Sequence, residues 1–338
     1  MTSEQPLTQE EIIEPGLPIC DPHHHLWDRT DDRFRYKRYL LDDLLQDTGS
    51  GHKVVQTVFV DCGSMYRTDG PEALRPVGET EFVEAVAIES ERRRGNKPGA
   101  VIAGIVSHAD LRLGAAVAPV LEAHLEASPT RFRGIRHIVS WDASGLLSNR
   151  NAVPPGLLLD ETFRQGFACL QRYGLSFEAW LYHPQLPDLI DLARAFPETT
   201  IILNHVGGPL GIGPYAQYRE ASFKNWQHYL SILATCPNVV VKLGGLGMPL
   251  CGFDWHERAA LPGSVELAEA MKPYYLWCIE QFGVERCMFE SNFPVDKMSY
   301  GYAVMWNAFK RIAGAFSPSE KAALFHDTAV KVYRLTKN

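Results

Sequence analysis

The sequence predicts an α/β protein of one domain, a (β/α)8 or TIM barrel, and three observations carry that prediction. Eight short β-branched or apolar runs recur along the chain. Segments with helical periodicity alternate with them, which is the signature of a parallel sheet covered by helices. Neither a low-complexity linker nor a repeat of fixed sequence divides the 338 residues. A doubly wound open sheet is the alternative arrangement of the same alternation.

Residues 1–16 read as a polar leader with neither the basic start nor the apolar centre of a signal peptide. The barrel is expected over residues 17–338, closed by a C-terminal helix. Its strands are predicted at 17–21, 54–62, 100–107, 132–140, 175–182, 200–204, 239–243 and 287–291. Between them, a helix starts near Thr80 with Phe82, Val83, Val86 and Ala87 on one face, and Arg92, Arg93 and Arg94 close it before Gly95. Further helices are predicted at 115–127, 161–173, 188–196, 223–234 and 265–282. Residues 244–263 form a loop long enough to cover a substrate. Ser317, Pro318 and Glu320 spell a capping box with proline at the first helical position, and Ala322, Phe325, Ala329 and Val332 mark the apolar face of the last helix.

A chain with 46% hydrophobic residues can bury a large core, and a formal net charge of -7 offers no footprint for nucleic acid or an anionic membrane. Seven cysteines without a CxxC pair read as reduced thiols, so the cytoplasm is the expected location. A small-molecule partner is expected, with a homo-oligomer as a possible state. There is no GxSxG elbow, no GxxxxGK loop and no HExxH helix.

In such a barrel the active site lies at the carboxyl ends of the strands, so polar residues there are the candidates. Cys20 to Asp28 places His23, His24 and His25 in a row, and alternation puts His23 and His25 on one face. His205 ends the sixth strand just before a Gly-Gly-Pro turn. Three imidazoles at strand ends suit a metal ion such as zinc. On the eighth strand Met288, Glu290 and Asn292 share a face, and Glu290 is the nearest carboxylate to serve as a base. Its other reading is a buried structural carboxylate paired with Lys242 or Arg136. Arg136 and Lys242 lie inside apolar strands and are read as clamps for an anionic substrate, with Glu178 and Tyr182 lining the same cavity. Trp27, Trp141 and Trp180 are assigned to packing.

Taken together, His23-x-His25 in DPHHHLWD, Arg136 in RGIRH, NHVGGP around His205, VVVKLGGLGM around Lys242 and FESNFPVD around Asn292 resemble the amidohydrolase superfamily over nearly the whole chain. The resemblance is to its amidohydrolase 2 branch, which includes 2-pyrone-4,6-dicarboxylate lactonase and sugar-lactone hydrolases. It implies a hydrolase opening a lactone or similar cyclic ester of a small, carboxylated metabolite. It implies one divalent ion, zinc first, held by His23, His25 and His205 with Glu290 completing the shell or acting as base, or metal-independent chemistry; His205, Glu290 and Asn292 are the catalytic candidates. Asn292 stands where the family has aspartate, and a bridging lysine on the fourth strand is lacking, so a binuclear centre is not expected. A metal-dependent decarboxylase or amidase on the same barrel, or an inactive ligand-binding barrel, are the alternatives.

Overall fold

The computed structural model describes residues 9–29, 35–145, 147 and 153–336. Eight parallel strands follow one another in chain order around a single sheet: β1 (Pro18–His24), β2 (Lys53–Val60), β3 (Val101–Ser107), β4 (Phe132–Ile138), β5 (Ser176–Trp180), β6 (Ile201–Leu203), β7 (Val239–Leu243) and β8 (Cys287–Phe289). The ring is joined just past β8, where His24 bridges Phe293, His25 N donates to Phe293 O (2.8 Å) and Asn292 N to His23 O (3.0 Å). Sequential order and this seam make a barrel and dispose of the open doubly wound sheet.

Alternation along the strands sorts the apolar residues into two bodies. Cys20, Val58, Val60, Val106, Ile202, Val240 and Met288 fill the barrel interior, while Ile19, Val54, Ile135, Phe177, Val241 and Phe289 belong to the larger cores between sheet and helices. Among those helices, α1 (Leu41–Thr48) follows a pair of two-residue antiparallel strands, Trp27–Asp28 with Arg38–Tyr39; neither was predicted, although Leu41, Leu44, Leu45 and Thr48 carry the helical period over two turns, too short a run to stand out. Helix α2 (Val77–Arg94) ends on its three arginines and Gly95, with Arg92 and Arg93 tied to Glu89 on the surface, so the run terminates a helix as expected. Within the leader, residues 1–8 lie outside the described residues. Its remainder lies along the helix Tyr302–Ile312, where Lys310 Nζ donates to the carbonyls of Ile13 and Glu14 (2.9 Å each).

The C-terminal segment closes the amino end of the barrel. Ser317 and Glu320 form the predicted capping box, but the helix is interrupted: Pro318–Ala322 and Thr328–Val332 are α-helical and Ala323–Asp327 is a π turn. The wider turn adds a residue and breaks the predicted face, so Phe325 and Ala329 are buried whereas Ala322 and Val332 are only partly covered. Past the helix, Tyr333 and Leu335 enter the barrel core, and Gln56 Nε2 donates to Thr336 O (2.8 Å). The Tyr333 hydroxyl donates to Glu178 Oε1 in the barrel's middle layer.

Tyr333→Phe deletes that donor and leaves a wholly buried carboxylate oxygen short of a partner. The variant is expected to lose about 1–3 kcal/mol, read as a lower urea midpoint at unchanged slope; an unchanged midpoint would mean that the bond adds nothing.

Candidate active site

The carboxyl ends of the strands open into a cavity of about 580 Å³. His25, Trp27, Arg29, Arg136, Trp180, Tyr182, His205 and Asn292 line it, and Met248, Pro249 and Leu250 of the predicted covering loop form one wall. Its floor is built around one carboxylate. Glu290 is wholly buried and sits between two imidazoles, with Oε1 2.6 Å from His205 Nδ1 and Oε2 2.8 Å from His23 Nδ1.

The chain bends sharply to bring these groups together. His205, Val206, Gly207 and Gly208 all have positive φ (53°, 49°, 77° and 54°), a left-handed run that is costly for His205 and above all for β-branched Val206. Glu290 Oε1 holds the run at its start by accepting from His205 N (3.1 Å) as well as the ring. Trp226 Nε1 holds it from outside by donating to Val206 O (2.7 Å). Space comes from the glycine pair after β7. A Cβ on Gly244 would lie 2.3 Å from Glu290 Cγ, and one on Gly245 2.5 Å from His205 Cγ.

The histidine run divides as alternation requires. His23 and His25 face the site, with ring centroids 4.9 Å apart, and His23 lies 4.6 Å from His205. His24 points away, against Phe59 and 3.0 Å from Thr57 Oγ1. His25 Nδ1 lies 2.7 Å from Val60 O, so it carries the ring proton and Nε2 keeps its lone pair. Burial, with Arg136 near all three and Lys242 near His23 and His205, holds His23, His25 and His205 well below the ordinary histidine range, so all three are neutral. Burial pushes Glu290 up to about 8, against the pull of Lys242.

His23, His205 and Glu290 place one donor atom each within 4.8 Å of one another. Two buried atoms of this group, His23 Nε2 and Glu290 Oε2, have no hydrogen-bond partner. Two imidazoles and a carboxylate are a zinc-binding donor set, so the cluster fits one divalent ion. Glu290, expected to complete the shell or act as base, is part of the cluster, and the set differs from the expected one in that His25 stands outside.

Other expected residues are placed differently. Arg136 lines the cavity, 3.8 Å from Asp61 through Nε, and Tyr182 lines it too. Glu178 and Lys242 do not line it. Both are wholly buried beneath the floor and paired at 2.7 Å, with Glu178 also accepting from Asn204 Nδ2 (2.6 Å) and Lys242 reaching His23 Nδ1 (3.2 Å). Their inward face was read correctly, but period two does not encode depth. Glu290 pairs with neither Lys242 nor Arg136 but with the two histidines.

Asn292, at φ 56°, lines the cavity and donates through Nδ2 to Asp296 Oδ1 (2.8 Å). Asp296 was missed, although it stands in the same FESNFPVD motif. It is buried, takes Tyr300 OH (2.5 Å) and Gly247 N (3.1 Å), and is pushed up to about 7 by burial. Arg29 was also missed; its guanidinium lies 5.0 Å over the Trp27 ring. Trp141 packs against the core as expected, but Trp27 and Trp180 line the cavity, and Trp180 meets His205 edge-on at 4.7 Å.

A parallel barrel with imidazoles and a carboxylate gathered at its carboxyl mouth defines a hydrolytic enzyme class, and comparison with known proteins places the chain within it. Residues 20–335 match the family model described as Amidohydrolase, and the chain belongs to that family. It is 35% identical over 336 residues to the "uncharacterized protein y4mH" of Sinorhizobium fredii, covering 94% of this chain and 99% of that one. It is 26% identical to an L-fucono-1,5-lactonase of Burkholderia multivorans, covering 95% and 97%. A solved amidohydrolase from Burkholderia multivorans with bound zinc superposes with a TM-score of 0.71 at 23% identity, covering 94% and 99%. The chain is thus an amidohydrolase-type hydrolase.

Gly244→Ala tests the close approach at the floor. The added methyl is expected to force Glu290 off His205 and to cost roughly 1–3 kcal/mol, seen as a lowered Tm. Wild-type Tm in this variant would contradict the packing described.

Proposed function

We propose that the protein is a lactonase that hydrolyses a cyclic ester of a small, anionic metabolite. The observation that carries this reading is the Glu290–His205 pair on the cavity floor. With Nδ1–H donated to Glu290 Oε1, His205 presents the lone pair of Nε2, and a neutral imidazole oriented in this way is a general base. The lactonase relatives support a cyclic ester as the substrate. A cavity of about 580 Å³ suits a small-molecule substrate.

In the proposed step, His205 Nε2 takes a proton from water as the water oxygen bonds to the lactone carbonyl carbon. The ring C–O bond then breaks, and His205 returns the proton to the leaving alkoxide oxygen. Arg136, joined by Arg29, holds an anionic group of the substrate, because a guanidinium keeps its charge and binds carboxylates in a bidentate fork. Tyr182, Trp27 and Trp180 supply the apolar walls. Asn292, fixed by Asp296, offers its amide to the reacting carbonyl or water in place of an aspartate. Glu178 and Lys242 act from below, holding His23. A divalent ion held by His23, His205 and Glu290 would polarise the carbonyl and lower the pKa of a bound water toward ~7.

A panel of sugar-acid and carboxylated lactones, followed by acid release in a pH-stat, tests this reading. Ring opening is expected in the wild type, with kcat reduced by roughly 10²- to 10⁴-fold in His205→Asn. Release of carbon dioxide or ammonia from the corresponding acids or amides, with every lactone left intact, would overturn it.

A further inference from the structure

We propose that Asp296 is a positioning residue that turns the side-chain amide of Asn292 so that its oxygen, and not its NH2 group, faces the reacting water. Asn292 lines the cavity, whereas Asp296 is wholly buried behind it. Both carboxylate oxygens are engaged. Oδ2 accepts from Gly247 N (3.1 Å) and from the Tyr300 hydroxyl (2.5 Å), and Oδ1 accepts from Asn292 Nδ2 (2.8 Å). The backbone closes the same turn, with Asp296 N donating to Asn292 O (3.2 Å).

The partners of Oδ2 are themselves fixed. Gly247 packs so closely on Tyr300 that an added Cβ would lie 2.7 Å from the hydroxyl oxygen, and Ser299 Oγ donates to Gly247 O (2.6 Å). Asp296 therefore holds one orientation, with Oδ1 aimed at Asn292. An ionised carboxylate only accepts, so Asn292 must direct its NH2 group at Asp296. The amide oxygen, on the other branch, is left for the cavity.

Water has two protons to place. In the proposed step His205 Nε2 takes one, and the Asn292 oxygen accepts a hydrogen bond from the other, which leaves the lone pairs of the water oxygen free for the lactone carbonyl carbon. An amide turned the other way would donate to that oxygen and occupy a lone pair. Asp296 thus gives Asn292 the acceptor character of an aspartate without its charge. The same carboxylate holds Gly247, next to the cavity wall of Met248, Pro249 and Leu250, so wall and amide share one support.

Asp296→Asn reverses the amide at unchanged shape. Gly247 N can only donate, so the new side chain keeps its oxygen toward Gly247 and directs its NH2 group at Asn292, whose oxygen then turns inward. Measured well above pH 7, so that wild-type Asp296 is ionised, kcat of this variant on a lactone turned over by the wild type is expected to fall at least about tenfold with KM nearly unchanged. The swapped pair Asn292→Asp/Asp296→Asn returns an acceptor to the cavity, and its kcat is expected to exceed that of Asp296→Asn. A wild-type kcat in folded Asp296→Asn, or a swapped pair no faster than it, would overturn the proposal. Should Asp296→Asn not fold, solvent exchange of the Asn292 side-chain amide in ¹H–¹⁵N spectra of the wild type decides it, with the signal assigned by its loss in Asn292→Asp. One protected proton is expected, and two freely exchanging protons would overturn it. The kinetic readouts rest on the hydrolysis proposed above, whereas amide exchange needs no substrate, so a protein that opens no lactone leaves that readout standing.

Discussion

The site depends on one buried carboxylate. Glu290 has no solvent exposure and accepts from both the backbone and the ring of His205 while lying against His23. A charge or a proton on such a group must be compensated locally, and its neighbours are arranged to do so. Oε1 takes two hydrogen bonds from a single residue, Lys242 supplies positive charge from below, and Gly244 and Gly245 leave room for the side chain and its partner. The left-handed turn at His205–Gly208 is tolerable because Glu290 holds its start and Trp226 its outer edge.

Beneath this floor a polar column runs through the barrel. Tyr333 enters from the amino end and reaches Glu178, which pairs with Lys242, which reaches His23. Tyr333, Glu178 and Lys242 are each tied to the next group in the column, and these bonds hold His23 from below. The C-terminal segment therefore takes part in shaping the candidate active site at the opposite end of the barrel. An ordinary apolar plug would close the barrel but could not position a ring nitrogen.

Much of this was legible from residue types and spacing. All eight strands announce themselves as short apolar runs, and period two sends His23 and His25 one way and His24 the other, as found. Period two also set Glu290 and Asn292 on the inner side. It carries no information on depth along the barrel axis, which is why Lys242 and Glu178 were expected in the cavity and lie beneath it. The partners of Glu290 were out of reach for a related reason, because they depend on a seam and a left-handed turn that juxtapose residues 85 positions apart. Trp27 and Trp180 have the composition of core residues, and only their place at strand ends makes them cavity walls. Asp296 had a signal, a second acidic residue four positions after Asn292, but its buried role needs Tyr300 and Gly247 to be visible.

The relation between Glu290 and its histidines separates this site from a plain cluster of metal ligands. The carboxylate does not line the cavity, and in the proposed mechanism it acts through His205 by fixing which nitrogen bears the proton. Glu290→Gln keeps the shape of the side chain and removes its capacity to ionise. Steady-state kinetics of this variant on a lactone turned over by the wild type, measured above pH 8 where the wild-type Glu290 is ionised, test the central claim most directly. A kcat lowered by roughly 10²-fold or more with KM nearly unchanged is the predicted result, and an unaltered kcat in the folded variant would contradict it.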